Sequence, residues 1–343
     1  MMKTVFLSLL ILTFSQSTLA QQLTSKVVDE NKKPLVGATV YFDGTTRGVI
    51  TNLDGIFRIK KPENLSEPIL VISYLGYETL YENNLNNLKN TYQLKPNPEN
   101  LDTVDLYASP FSREDMLEVF EDNFLGKGRP ARQCKILNLD DVIVYYVVKE
   151  NTLYAKSMNP IIIKNNYLGY KIKFDLKDFQ VKYSTKTLNE YYLKQSYYAG
   201  FSFFEDINPK KSRRRQKIYE SSLNKFFKSL IEDNLDNTKF VLGYKGFAVR
   251  PEEIFGIKPL ENDLSLIYLK SRVIKTFNSK YIPSKITLKH KRELSTLQFQ
   301  KGHCRVDQFG NNLDIQNVLL IGDLSESKVA KMLPLNFSLE KLK

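Results

Sequence analysis

The chain has no tryptophan and only two cysteines and two histidines in 343 residues. Each scarcity excludes something. Without Trp there is no broad indole platform on which sugars or bases could stack. Cys134 and Cys304 allow one internal disulfide, so the chain is not a disulfide-stapled scaffold. They form the candidate pair, with two buried free thiols as the alternative. No Gly-x-Ser-x-Gly elbow and no phosphate-cradling glycine loop occurs. No apolar run reaches the ~20 residues of a membrane helix. No strand series flanked by aromatic girdles points to a membrane barrel.

Aromatics of the other two kinds are plentiful, with 20 Tyr and 21 Phe. With ordinary charge content, they argue for β-rich globular structure rather than disorder. The length suggests roughly two domains. The formal net charge is +12, mostly dispersed. A basic chain can meet nucleic acid, anionic lipid or acidic glycan.

Residues 1–20 read as a secretory signal. Met1-Met2-Lys3 is a short positive start, Val5 to Phe14 is apolar, and Thr18-Leu19-Ala20 precedes the expected cut. An N-terminal anchor is the alternative, but about ten apolar residues are too few to span ~30 Å of hydrocarbon. No Cys near the cut offers a lipid attachment point. The expected location is therefore outside the cytoplasm, in the periplasm or at the outer membrane.

Residues 21–95 alternate short strands with turns. Thr39-Val40-Tyr41-Phe42, Ile56-Phe57-Arg58-Ile59 and Ile69 to Tyr74 have β composition. Asp43-Gly44, Asn52-Leu53-Asp54-Gly55 and Gly76 supply the bends. Such spacing indicates an all-β sandwich. The motifs Val27-Val28-Asp29, Pro34-Leu35-Val36-Gly37-Ala38-Thr39-Val40, Thr51-Asn52-Leu53-Asp54-Gly55-Ile56-Phe57 and Val71-Ile72-Ser73-Tyr74-Leu75-Gly76-Tyr77 occur in that order. Together they resemble the carboxypeptidase-like regulatory domain. The resemblance implies a seven-stranded, prealbumin-like sandwich. Such a sandwich begins many exported and outer-membrane proteins of Gram-negative bacteria, TonB-dependent receptors among them. It is not itself a peptidase. Lys26 stands where the family commonly has Gly.

Residues 96–110, with Pro96 and Pro98, read as a linker. Residues 111–343 read as a larger α+β, β-rich domain with two main helices. Ser112 caps the first, whose apolar face carries Met116, Phe120 and Phe124 before Gly126 ends it. The second is predicted from Ser212 to Asn234, striped by Tyr219, Leu223, Phe226, Phe227, Leu230 and Ile231. Strands are predicted between and after them, Asp307 to Asn311 as a turn, and Ser325 to Met332 as a short helix. Phe124-Leu125-Gly126, Cys134 to Asn138, Pro160-Ile161, Asn166 to Tyr170, Tyr197-Tyr198-Ala199-Gly200, Arg214 to Leu230, Asp307 to Asn311 and Leu333-Pro334-Leu335 are similar to the region following this sandwich in carboxypeptidase-like regulatory domain-containing proteins of unassigned function. That similarity implies compartment and co-occurrence, not a reaction.

The strongest catalytic lure is His290-Lys291-Arg292-Glu293 with His303 further on. Zinc peptidases use His-x-x-Glu plus a distant His. Here strands flank the motif, and residues three apart on one strand face opposite ways. The expected reading is a polar hairpin turn with His290 exposed. His303 and Cys304 are adjacent on a strand and diverge. Asp140-Asp141 and Glu252-Glu253 are expected to be solvated pairs. The tyrosine pairs Tyr191-Tyr192 and Tyr197-Tyr198 could line a groove but equally suit sheet packing. One basic cluster stands out: Lys210, Lys211, Arg213, Arg214, Arg215 and Lys217. It is a candidate surface for an anionic partner, lipid headgroup or glycan, rather than nucleic acid, given the compartment. Its cations oppose the dipole of a helix start.

The expectation is a non-catalytic exported binding or scaffolding protein that needs no cofactor and has no transmembrane segment. Its partner would be an envelope protein, a glycan or a lipid headgroup. The alternatives are a hydrolase whose site is assembled only in three dimensions, and a membrane-surface adaptor using the basic cluster.

Overall fold

The computed structural model describes residues 22–62, 65–97, 109–277 and 280–337, with backbone alone for Lys275–Phe277 and Lys280–Ile282. The signal at 1–20 and residues 98–108 of the linker lie outside the described residues.

Alternation of apolar and polar residues builds the first core. Gln22–Val28 pairs antiparallel with Ile56–Lys60 and parallel with Thr91–Gln93. Gly48–Ile50, Thr39–Phe42, Leu70–Ser73 and Leu80–Glu82 form the facing sheet in that order. Val27, Val40, Phe42, Phe57, Leu70, Ile72 and Tyr92 close the space between the two sheets, each at most 1% exposed. This is the seven-stranded sandwich that the family resemblance implied. Lys26 sits in regular register opposite Ile56 and Thr91, so the absence of Gly there costs no pairing.

The remainder is α+β and β-rich, but it holds two cores. In the first, the fourteen-residue strand Tyr170–Tyr183 is the spine. Ile161–Asn165 and Thr152–Ser157 share one of its edges, and Leu193–Asp206 runs along the other. Sequence alone predicts two strands here, Tyr167 to Phe174 and Phe179 to Tyr183. They are one, with a register shift between Leu176 and Asp178 absorbing the irregularity. Helix Arg113–Phe124 lies across this sheet, with Phe120 against Phe179 and Phe124 against Phe174 and Tyr198. Its cap is as expected: the Ser112 hydroxyl accepts from the Asp115 amide at 3.1 Å.

The second core lies between a five-stranded sheet, which includes Phe240–Tyr244, Lys285–His290 and Glu293–Phe299, and a three-stranded one of Phe255–Pro259, Ser265–Leu269 and His303–Val306. The long helix expected from Ser212 is two helices, Ser212–Glu220 and Leu223–Ile231. They part because the Ser222 hydroxyl accepts from the Lys225 amide, capping a new helix. That turn swings Phe226, Phe227 and Leu230 into the second core, while Ile218 packs on the first. The three helices of nine or more residues thus replace the predicted two. Ser325 to Met332 forms 3-10 turns, Asp323–Glu326 and Val329–Lys331, rather than a helix.

Two joints fix the sandwich to the rest. The loop after Thr39–Phe42 hydrogen-bonds the strand Leu193–Asp206: Gly44 donates to Ser202 O at 2.7 Å and Phe204 donates to Thr45 O at 2.9 Å. Tyr41 and Val71 pack on Phe203 beneath it. The chain end supplies the second joint. Ala330 donates to Leu125 O, the Asn165 side chain donates to Ala330 O, and Leu335 donates to Gly44 O. Segment 323–337 therefore touches elements of all three cores.

Candidate functional site

A cavity of about 700 Å³ opens where these bodies meet. The junction of the two central helices, from Lys217 to Asn224, forms one wall. The hairpin tip His290–Glu293 forms another, and Leu333 to Leu335 close the floor beside Phe309. Tyr219 is buried there with its ring 5.4 Å from that of Phe337. Lys217, Lys291, Arg292 and Lys331 outnumber Glu293 and Asp323 along the rim, so the opening is amphipathic and weakly cationic.

The hairpin itself corrects an expectation. Lys285–His290 and Glu293–Phe299 are joined by a two-residue turn with Lys291 in the left-handed region, φ 56°. His290 and Glu293 are then directly opposed cross-strand partners on one face, not divergent neighbours on one strand. Glu293 Oε2 lies 3.6 Å from His290 Nδ1. His290 is also buried rather than exposed, because its ring packs 4.8 Å from that of Phe240 on the adjoining strand. Burial lowers its pKa below the ordinary imidazole range, with Glu293 partly opposing, so the ring is neutral at pH 7. His303 sits on another sheet, exposed, with its Nδ1 3.1 Å from Lys301 O. Among the described residues no three His, Cys, Asp or Glu side chains group as a metal site.

The basic cluster does not form one surface. Arg215 turns inward, 4% exposed. It makes a bidentate pair with Asp206 at 2.7 and 2.8 Å, and it donates to Leu168 O, Gly169 O and Asn208 O. Its guanidinium stacks 3.8 Å over the Tyr170 ring. Arg214 reaches Gln133 and Tyr167 O and lies over the Tyr167 ring. Arg215 is therefore an internal anchor, which corrects its assignment to a partner surface, while Arg214 stays half-exposed. Lys217 faces the large cavity, Lys211 faces a second groove, and Lys210 and Arg213 point to solvent. The cluster breaks up because a helix fans successive residues about 100° apart.

Cys134 and Cys304 are free thiols, which corrects the candidate disulfide. Cys134 packs at the edge of the first of the two later cores, its Sγ 3.5 Å from Pro130 O, and Cys304 lies inside the other. Burial pushes both thiols up to about 12, so neither is a ready nucleophile.

A further set of residues escaped the sequence. Lys135, Lys164 and Lys171 stand in direct cross-strand register, on the face opposite buried Ile136, Ile163 and Ile172. They are dispersed in the chain, and only strand pairing assembles them.

An N-terminal β-sandwich built into an α+β body, with a cationic, amphipathic groove, defines a class of modular β-rich protein. The comparisons narrow the first module. Residues 23–105 match the CarboxypepD_reg-like domain, and the chain carries that domain there. The match runs past residue 95. Over 61 residues the chain is 41% identical to the TonB-dependent receptor SusC of Bacteroides thetaiotaomicron. That alignment covers 17% of this chain and 6% of the receptor, so the chain spans a small fraction of that relative's length. No solved structure matches the chain. Among the described residues no helix is long and apolar enough to cross a membrane.

Proposed function

We propose that the protein is a non-catalytic binding or scaffolding protein of the bacterial envelope, exported to the periplasm or outer-membrane surface and allied to outer-membrane uptake. The groove at the His290–Glu293 hairpin receives its partner. The observation that carries this reading is the groove's construction. Elements of both later cores and the chain end frame it, its lining mixes apolar and cationic groups, and its histidine is locked between Glu293 and a Phe240 ring. A partner segment with apolar and acidic side chains fits such a lining. The domain at 23–105 and the local likeness to SusC support the compartment.

A photo-reactive residue placed at Arg292 and activated in intact cells tests the proposal. The expected product is a discrete adduct with an outer-membrane or periplasmic protein, absent when the same group is placed at Lys258, which is exposed on another sheet. The His290–Glu293 contact also bears on the hydrolase alternative. Zinc recovered stoichiometrically from pure protein, with peptide or ester hydrolysis abolished by His290→Ala, would overturn the proposal.

A further inference from the structure

The row Lys135–Lys164–Lys171 is energetically odd. Directly opposed like charges on a sheet repel, and a sheet normally alternates their sign. Here three lysines follow one another across three strands before a carboxylate appears, Glu205, at 3.7 Å from Lys171. Lys135, Lys164 and Lys211 have no ion pair among the described residues. A groove of about 510 Å³ runs beside the row. Lys164, Lys171 and Lys211 line it with Asn166 and Asn208. Two apolar residues, Leu137 and Ile207, stand on the same lining, 50% and 44% exposed.

From this juxtaposition we propose that the groove is a peripheral membrane-binding surface. The lysines would take the phosphates of anionic lipid headgroups, and Leu137 and Ile207 would enter the headgroup–acyl boundary. The proposal goes beyond the partner groove at His290 and does not rest on it. Charge alone would suit a free phosphate or a sulfated glycan equally. The exposed apolar pair beside the charge selects a lipid surface, because an aliphatic side chain gains from a bilayer interface and gains little from a hydrated polysaccharide. The unrelieved repulsion also becomes intelligible, since a surface kept cationic at the expense of stability is one that meets negative charge.

Vesicle co-sedimentation of the chain starting at Gln21, the form expected after processing, tests the proposal. Binding should be weak to neutral phosphatidylcholine. It should rise several-fold when about a quarter of the lipid is phosphatidylglycerol, and fall as salt shortens the Debye length. Lys164→Glu and Lys171→Glu should each lower the partition coefficient about five-fold or more. Lys258→Glu, remote from the groove, should change it far less. Leu137→Ser with Ile207→Ser should reduce vesicle binding while leaving retention on a heparin column unchanged. Lys164→Glu should also raise the melting temperature, because its carboxylate would sit between Lys135 and Lys171. A folded, more stable variant that has lost binding cannot be dismissed as damaged. Equal partition of the wild-type and Lys164→Glu chains into anionic vesicles overturns the proposal. So does retention on heparin, lost in the lysine variants, without vesicle binding, which would identify a glycan site.

Discussion

Arg215→Ala removes a donor to three backbone carbonyls and to Asp206. Gly169 O keeps the amides of Ile207 and Asn208, and Asn208 O keeps that of Lys211. Leu168 O, however, loses its donor at a buried site, and the contact with the Tyr170 ring goes with it. Unpaired buried acceptors cost about 1–3 kcal/mol each, but Asp206 is exposed enough to rehydrate. The expected loss is about 2–4 kcal/mol, read as a lower urea midpoint at unchanged m-value. Arg213→Ala, two residues away and exposed, should lie within about 0.5 kcal/mol of the parent. If the two substitutions cost the same, Arg215 is not the anchor described. The sequence showed six cations in eight positions and could not rank them, because rank depends on Tyr170, Asp206 and Leu168, which only the fold brings near. His290 was misjudged for a similar reason. A histidine in a run of lysines and arginines reads as solvated, and its burial depends on Phe240, fifty positions earlier and one strand across.

At the level of elements, local signals served well where the determinant was local. The Ser112 cap, the turns of the sandwich and the alternation of Thr39–Phe42 and Ile56–Lys60 all stood in the sequence and in the structure. The single helix predicted through Ser221-Ser222 is two, because an apolar stripe at helical spacing continues across the serine that caps the second. The packing of two separate cores decided the matter. The Asp307–Asn311 turn is a case where a local signal also fixes distant geometry. Asp307 Oδ1 accepts from the amides of Phe309 and Asn311, and the Asn311 side chain donates to Leu335 O. Gly310 has φ +84°, and a Cβ there would stand 1.9 Å from Asn224 O on the helix Leu223–Ile231. Gly310→Ala therefore combines a strained dihedral with a backbone collision. It is expected to cost at least about 2 kcal/mol and to displace the turn from the floor of the large cavity. Differential scanning calorimetry checks the first part and hydrogen exchange at Phe309 and Leu335 the second. Unchanged melting would mean that the turn and helix are not in this contact.

For the molecule as a whole, the question is how firmly the sandwich is held, and Asp43 is the group that reports on it. Its carboxylate accepts from the Ser202 amide at 2.6 Å across the joint. Desolvation there, with Asp175 nearby adding repulsion, outweighs the hydrogen bonds from Ser202 and Gly44 and raises its pKa to about 6. The titratable groups that act on Asp43 are Tyr41 and Asp175; Asp175 in turn holds the Tyr81 hydroxyl and pairs with Lys177 at 3.1 Å. An acid whose pKa is raised on folding binds more protons folded than unfolded between about pH 4 and 6, so stability falls as pH rises through that window. The folded chain should thus gain about 1–2 kcal/mol from this group between pH 7 and pH 5. Asp43→Asn keeps an acceptor for Ser202 and cannot ionise. Subtracting its urea stability from that of the parent at each pH cancels every other carboxylate and isolates the term. The parent should be the less stable chain at pH 7, and the gap should narrow toward pH 5. A constant difference across that range would mean that the sandwich leaves the sheet readily in solution, so that Asp43 titrates as a solvated acid. The two parts would then be tethered modules, and the groove framed by segment 323–337 would have no fixed shape for a partner to meet.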